Sequence, residues 1–242
     1  MFFVIRAKRF FSILCLTILL FSSIILIGNR TLVPVFQTQN PAFSGTVYMI
    51  DAGHGGEDGG AVSSNGVIES TINLAVSRRL SAILCFLGEN AMMTRENEQA
   101  VYSDDAVTLR EKKRSDLENR VKMINRERNA QLISIHQNSM PSVPSVHGAQ
   151  VFYNKIEQAD ELANQVQNSL NHAVNSENHK SAKPIDSSIY LMKNVQCPAI
   201  LVECGFLSNA YETEALQDPN YQMKLAVAIT AGLLESQSRN EA

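Results

Sequence analysis

The chain has 242 residues and a net charge of −3, and 45 % of its residues are hydrophobic. This length and composition predict one domain with a substantial core plus an appendage, and they exclude wholesale disorder. Basic and acidic residues are mixed along the chain, so no basic block indicates nucleic-acid binding.

The first feature in chain order is an uncharged segment, residues 10–28. Its first eighteen residues are mostly apolar, which is about the length that crosses the core of a bilayer. Basic residues precede the segment and only Arg30 follows closely, so the positive-inside rule predicts that residues 1–9 form a cytoplasmic stub. The alternative is a cleaved signal peptide, but no A-x-A-like site follows, which favours an uncleaved anchor. Both interpretations predict an extracytoplasmic domain.

Residues 29–45 contain two prolines and no hydrophobic periodicity, so they are interpreted as a linker. The folded domain is predicted over 46–236. Outside the apolar segment the cysteines form no C-x-x-C spacing and no disulfide framework, so they are interpreted as small buried hydrophobes. These cysteines are Cys85, Cys197 and Cys204.

Within the domain, stretches typical of strands alternate with stretches typical of helices. The predicted strands are 46–50, 91–94, 132–135, 149–153, 188–192 and 199–202. Apolar residues at three- and four-residue spacing predict helices in 68–87, 117–124, 162–174 and 225–233. This alternation predicts a single α/β domain with a mostly parallel sheet and helices on both faces.

Residues able to carry chemistry follow three of the predicted strands. The first strand leads into the glycine-rich turn 51–60, the third into His136, and the last into Glu203. Because ligands bind at the carboxyl ends of parallel strands, we expect these pieces to meet at one edge of the sheet. The turn matches neither the dinucleotide nor the phosphate-loop pattern, and its acidic residues would repel phosphate, which excludes a nucleotide-binding protein.

A metal site explains this set of residues better. His54 and His136 lie just past predicted strand ends, and Glu69 begins the first long helix. Two histidines and one carboxylate form the ligand set of many zinc peptidases. Glu203 lies in a very apolar run, where an acid is costly to bury without a partner, so it is predicted to shuttle a proton to and from a zinc-bound water.

Each of these residues also has a simpler interpretation. A lone histidine after a strand is commonly structural, and Glu69 could be an acid favoured by the helix dipole. The remaining histidines lie in a proline-rich loop or at a polar helix end and are interpreted as structural or surface residues: His147, His172 and His179.

Four ordered segments resemble the signature blocks of the zinc-dependent N-acetylmuramoyl-L-alanine amidases of the amidase 3 class. They are IDAGHGGEDGGA (50–61), ESTINLA (69–75), SIHQNS (134–139) and LVECGFLSN (201–209). The resemblance covers nearly all of 46–235. It implies zinc as the cofactor, with His54, Glu69 and His136 as its ligands and Glu203 as the catalytic carboxylate.

The chain departs from this family at Cys204, where a small residue usually follows the catalytic glutamate. Neighbours along a strand point to opposite faces, so Cys204 is predicted to pack behind the site. The sequence does not identify the groups that hydrogen-bond the ligands, and Asn138 and Arg78 or Arg79 are the candidates.

The N-terminal anchor, the bare catalytic domain and the segments 109–125 and 188–194 resemble the germination-specific amidases of spore-forming bacteria. This resemblance implies hydrolysis of the amide between the lactyl group of N-acetylmuramic acid and L-alanine, during formation of muramic δ-lactam in spore cortex. The implied partners are peptidoglycan as substrate, the membrane through 10–28, and an accessory protein or a downstream deacetylase.

Three alternatives stay open at this point. A zinc-dependent wall deacetylase would need an aspartate-based metal triad, which the sequence lacks. An exported wall-binding protein could keep the fold without activity, although all four chemical positions are filled. A vegetative cell-wall amidase would share the same reaction.

Overall fold

The computed structural model describes residues 45–240, which belong to the second of two units into which the chain divides, Ser44–Ala242. The predicted stub (1–9), the membrane or signal segment (10–28) and all but the last residue of the linker lie outside the described residues. Within 45–240, no helix is both long and apolar enough to cross a membrane.

The described part of the chain alternates strands and helices. In chain order the elements are β1 (Val47–Ala52), α1 (Glu69–Phe86), β2 (Asn90–Met93), α2 (Leu109–Arg126), β3 (Ala130–Asn138), β4 (Gln150–Tyr153), α3 (Ala159–Ala173), β5 (Lys183–Pro184), α4 (Tyr190–Asn194), β6 (Ala199–Phe206), α5 (Ala210–Gln217) and α6 (Pro219–Asn240).

The strands form one six-stranded sheet in the order β2-β1-β3-β6-β4-β5. β2, β1, β3 and β6 are mutually parallel, whereas β4 pairs antiparallel with β6 and carries β5 parallel to itself. The carboxyl ends of β1, β3 and β6 therefore lie side by side, as the prediction of a mostly parallel sheet required.

Helices cover both faces of the sheet because successive residues of its strands point to opposite sides. Tyr48 and Ile50 of β1 pack into one core with the apolar residues of α1, α3 and α6. Val47 and Met49 pack into a second core with residues of α2 and α4. All six residues of β1 are buried, as expected for a strand that is covered on both faces. The predicted fold class is confirmed.

The four predicted helices are confirmed, but the predicted strand 188–192 is wrong. This segment contains the start of the short helix α4, in which Leu191 and Met192 are buried in the second core. A short apolar run can serve either element, and periodicity alone cannot distinguish them. The sheet position beside β4 is taken instead by Lys183 and Pro184.

Two strands continue further than predicted. β3 includes His136 and β6 includes Glu203, which are paired across the two strands, so neither residue lies beyond a strand end as expected. A ladder is held by backbone hydrogen bonds, and polar side chains therefore do not end it. Each side chain is consequently held by a central strand of the sheet.

Helix α2 presents an unusually polar buried face. It begins with a capping box between Thr108 and Glu111. Further along, Asp116, Arg120 and Ile124 recur at four-residue spacing and are buried, although only Ile124 is apolar. The buried charges of this face lie under the glycine-rich turn that follows β1.

Arg120 is almost wholly buried and is satisfied on every side. Its guanidinium donates to Asp116 at 2.8 Å, to Asp51 at 2.7 Å, and to the carbonyl oxygens of Ala52 and His54 at 2.7 Å each. A second buried arginine, Arg95, donates to the carbonyl oxygens of Ala52, Gly53 and Ser70 at 2.9, 3.1 and 2.9 Å. The two side chains fix the backbone that leaves β1.

Asp51 is the counter-charge at the base of this network. Besides Arg120 it accepts hydrogen bonds from Thr94 at 2.8 Å and Ser134 at 2.7 Å. Burial acts to raise the pKa of Asp51, but the charge of Arg120 and the bond from Ser134 outweigh it and lower the pKa from 3.8 to about 2. Since the folded-state value is the lower one, this stabilisation is present above the unfolded-state pKa and is lost as the pH falls towards 2.

Replacing Arg120 with Met should therefore destabilise the protein by about 3–5 kcal/mol, because it leaves the buried carboxylates Asp51 and Asp116 without their cation. Lys122→Met, on the exposed side of the same helix, should stay within about 0.5 kcal/mol of the wild type. Urea unfolding measures both free energies. A cost below about 1 kcal/mol for Arg120→Met would show that the network does not stabilise the fold.

Candidate metal centre at the carboxyl edge of the sheet

Three elements bring three sequence-predicted residues to one place. His54 lies two residues after β1, Glu69 is the first residue of α1, and His136 lies near the end of β3. One nitrogen or oxygen atom from each lies within 4.8 Å of the other two, and within residues 45–240 this is the group of three that could hold a metal ion. We call these residues the triad.

Each histidine of the triad lies close to one oxygen of Glu69. His54 Nε2 lies 3.3 Å from Glu69 Oε2, and His136 Nδ1 lies 3.0 Å from Glu69 Oε1. Nitrogen and oxygen donors of this kind are typical ligands of zinc. Both histidine side chains keep 21 % exposure, whereas Glu69 keeps 4 %, so the triad opens to solvent on the histidine side.

The glycine-rich turn approaches the triad closely at two points. A Cβ atom on Gly53 would overlap the ring of His136, and one on Gly60 would overlap Glu69 Oε2 and approach His54. His54 itself has φ of 59°, in the left-handed region that non-glycine residues rarely occupy. The turn thus directs the His54 ring against Glu69.

Glu69 is held as an ionised carboxylate. The backbone nitrogen of Ala61 donates to Oε2 at 2.8 Å, and Asn73 Nδ2 and the backbone nitrogen of Gln137 donate to Oε1 at 3.1 Å each. Burial acts to raise the pKa of Glu69, but the hydrogen bonds and charges of His136 and His54 hold it well below its usual range. Glu69 is therefore ready to bind a cation at any physiological pH.

The other nitrogen of the His54 ring is also held. His54 Nδ1 lies 3.0 Å from Asp58 Oδ2, which leaves Nε2 directed at Glu69. Burial acts to lower the pKa of His54, but the hydrogen bonds and charges of Glu69 and Asp58 outweigh it and raise the pKa. A proton consequently competes with a metal ion for this ring as the pH falls.

Glu203 lies beside the triad without belonging to it. It is the cross-strand partner of His136, and paired residues of adjacent strands project from the same face of the sheet. Its Oε2 atom is buried and has no hydrogen-bond partner among the described residues. Burial raises the pKa of Glu203 to about 7, against the opposing charge of His136. Such a carboxyl group can both accept and release a proton near neutral pH.

The cysteines and the remaining histidines lie outside the triad, and Cys197 and Cys204 are buried as predicted, whereas Cys85 is only partly buried. Cys204 is fully buried in the core that contains α1, on the opposite face from Glu203, so it packs behind the site as predicted. His147 is exposed and lies near the carbonyl oxygen of Ser145, and His172 and His179 lie against each other. None of these three histidines joins the triad.

Sequence reasoning missed the residues that support the triad. The candidates Arg78 and Arg79 bind the carbonyl oxygens of Glu96 and Ala75, and the Asn138 side chain accepts from the nitrogen of Ser139. The supporting residues are instead Asp58 and Asn73, each four positions after the triad residue that it contacts. For Asn73 the four-residue spacing on a helix was a usable signal.

Comparison with known proteins identifies the family to which most of the chain is similar. The model of the Amidase 3 family, described as N-acetylmuramoyl-L-alanine amidase, matches residues 49–235. The germination-specific N-acetylmuramoyl-L-alanine amidase of Bacillus subtilis (strain 168) is 37 % identical over 191 residues, which cover 79 % of each chain.

Solved structures agree with these sequence matches. The CwlD amidase from Clostridioides difficile, solved in complex with the GerS lipoprotein, is similar with a TM-score of 0.77 and 35 % identity, over 81 % of this chain and 100 % of that one. The amidase AmiC2 of Nostoc punctiforme gives a TM-score of 0.68 and 29 % identity, over 80 % and 98 % of the two chains. The chain therefore belongs to the Amidase 3 family and is an enzyme, an N-acetylmuramoyl-L-alanine amidase.

Proposed function

We propose that the protein is a zinc-dependent hydrolase of the amide bond between the lactyl group of N-acetylmuramic acid and L-alanine in spore cortex peptidoglycan. His54, Glu69 and His136 are the proposed zinc ligands, and Glu203 is the proposed catalytic acid and base. The observation that carries the proposal is the position of the Glu203 carboxyl group, whose Oε2 atom is buried without a hydrogen-bond partner in 45–240, beside a triad of side chains that could hold a metal ion.

The chemistry of the triad fits zinc, and its three side chains lie close enough together to hold a metal ion. Two imidazoles and one carboxylate leave a fourth position for water or substrate, which is typical of catalytic rather than structural zinc sites. Bound zinc would supply Lewis-acid activation of the attacking water and of the substrate carbonyl. The contacts of Asp58 with His54 and of Asn73 with Glu69 would orient the ligands and strengthen their basicity.

The chain's own contribution to the chemical step is proton transfer at Glu203. Oε2 accepts a proton from the water whose oxygen attacks the carbonyl carbon of the lactyl group. The same oxygen then returns that proton to the alanine nitrogen as the carbon–nitrogen bond breaks. A pKa of about 7 suits both halves of this exchange, because neither protonation state is strongly preferred at neutral pH.

The cellular setting is part of the proposal. The relative from Bacillus subtilis is named as germination-specific, which supports a role connected with germination. The proposed substrate is spore cortex peptidoglycan, and a deacetylase is proposed to act afterwards. The uncharged segment 10–28 supports an extracytoplasmic, membrane-anchored enzyme. The Clostridioides difficile relative was solved with a lipoprotein, which supports an accessory protein as a partner.

Removing one proposed ligand should remove zinc. His54→Ala and His136→Ala should each lower the zinc content per purified chain, because two remaining ligands hold the ion poorly. Chelation of the wild type should abolish peptide release from muropeptides, and added zinc should restore it. His172→Ala, which removes an exposed histidine outside the triad, should keep full zinc and full activity. Full zinc occupancy in both triad variants would disprove the ligand assignment.

The two glutamates should behave differently. Glu203→Gln should bind zinc nearly normally but turn over at least about a hundredfold more slowly, because an amide of the same size cannot accept the proton. Glu69→Gln should lose zinc, and high added zinc should restore part of its activity. Zinc per chain and kcat are measured together, with the exposed Glu214→Gln as the matched control. Near-normal turnover of Glu203→Gln would contradict its role in proton transfer. An exchange of the two behaviours would mean that the two roles are assigned to the wrong residues.

The anchor is tested separately from the chemistry. A variant that lacks residues 1–44 should hydrolyse muropeptides like the full chain, since all four proposed site residues lie in the part that remains. In fractionated cells the full chain should sediment with membranes and be open to protease added outside the membrane, whereas the shortened chain should do neither. Recovery of both chains in the same fraction would contradict the role proposed for residues 10–28.

A further inference from the structure

Two buried amide side chains contact each other behind the triad, where α1 packs against β3. Asn73 belongs to α1 and is fully buried, and Gln137 belongs to β3 and keeps only 3 % exposure. Gln137 Nε2 donates to Asn73 Oδ1 at 3.1 Å. We call these two residues the amide pair.

Asn73 contacts all three segments that carry the triad. Its Nδ2 atom donates to Glu69 Oε1 at 3.1 Å and to the carbonyl oxygen of Gly53 at 3.1 Å. Its Oδ1 atom accepts from Gln137. Gly53 directly precedes one histidine of the triad, and Gln137 directly follows the other. One side chain therefore connects the backbone after β1, the start of α1 and the end of β3.

The amide of Asn73 can make these contacts in one orientation only. The Glu69 carboxylate and the Gly53 carbonyl are both acceptors, so they require the amide nitrogen, and the amide oxygen is left facing Gln137. Gln137 must then donate, and its own Oε1 atom is buried without a hydrogen-bond partner within 45–240. The backbone nitrogen of Gln137 also donates to Glu69 Oε1, which closes a ring of three residues.

Packing alone does not explain the amide pair. A buried amide oxygen without a donor lowers stability, and a methionine of similar length would fill the same space without that oxygen. Ile133 and Ile135, on the same face of β3 as Gln137, are apolar members of the core that contains α1. The feature that distinguishes position 137 from these neighbours is its contact with Asn73, and through Asn73 with Glu69.

We propose that the amide pair sets how tightly the triad holds zinc, an inference that rests on the proposed function. Asn73 is a positioning residue because it contacts Glu69 directly, and Gln137 acts through Asn73 by fixing the orientation of its amide. Removing a group that hydrogen-bonds a metal ligand typically weakens metal binding about 10- to 100-fold. A role in packing alone would instead lower the stability of the metal-free chain and leave zinc affinity unchanged.

The test measures two properties of the full chain: zinc affinity by competition with a chelating dye, and stability of the metal-free chain by urea unfolding. Asn73→Leu should weaken zinc binding about 10- to 100-fold. Gln137→Met keeps the backbone donor to Glu69 and should weaken zinc binding about fivefold, as expected for the loss of one neutral hydrogen bond. Its urea midpoint should stay close to the wild-type value, because the substitution removes one unpartnered oxygen and leaves another, Asn73 Oδ1.

A double-mutant cycle tests whether Gln137 acts through Asn73. In an Asn73→Leu background, Gln137→Met should change the zinc Kd by less than about twofold. Asn73→Ala provides the background if Asn73→Leu does not fold. Gln222→Met is the matched control, since Gln222 is a buried amide of α6 that donates to the carbonyl oxygen of Leu216 at 2.7 Å. This control should bind zinc like the wild type.

The outcomes separate this inference from the proposed function. Wild-type zinc affinity in Asn73→Leu or in Gln137→Met would overturn the inference and leave the proposed function in place. So would an effect of Gln137→Met that is equally large in both backgrounds. Weaker zinc binding with the expected coupling supports the inference even if muropeptides release no peptide, a result that would overturn only the proposed reaction. If the wild type binds no zinc, the proposed function and this inference both fail.

Discussion

Two buried arginines hold the backbone on which the candidate metal centre depends. Every carbonyl oxygen from Ala52 to His54 accepts a hydrogen bond from Arg95 or Arg120. Such carbonyls, leaving a central strand, would otherwise be costly to bury without partners. The same contacts hold His54 in a left-handed conformation that an unsupported chain would abandon. Arg120 thus holds the backbone of His54, and the contacts with Glu69 and Asp58 hold its ring.

The two glutamates at this edge of the sheet, Glu69 and Glu203, differ in pKa because their surroundings differ. Glu69 accepts hydrogen bonds from the backbone nitrogens of Ala61 and Gln137. The hydrogen bonds and charges of His136 and His54 outweigh the effect of burial and hold its pKa well below the usual range, which suits it to binding a cation. Glu203 has one oxygen without any donor in the described part of the chain, and burial raises its pKa to about 7. One carboxylate therefore stays ionised and the other can exchange protons near neutral pH, which is the division that the proposed mechanism requires.

The sequence was most informative where local pattern and chemistry coincide. The apolar period of α1 and the position of Glu69 at its start could be predicted, and so could the meeting of His54, His136 and Glu203 at one sheet edge. The helical state of Tyr190–Asn194 could not, because its apolar residues suit a strand equally well and contacts with the second core decide the outcome. Nor could the buried pairing of Arg120 with Asp51, since those residues are 69 positions apart and only the folded sheet brings them together.

The topology also determines when a metal ion can be bound during folding. His136 and Glu69 are 67 positions apart, and the triad is complete only when α1 is packed and β1 lies parallel to β3. Pairing two parallel strands closes a long loop, and the chain loses conformational entropy before the new contacts compensate for it. Parallel strands therefore pair later than local helices form. The three residues of the triad do not lie in one short stretch of the chain, because His136 follows Glu69 by 67 positions. Metal uptake would therefore be a final step of maturation, and bound zinc would report that the central strands have assembled.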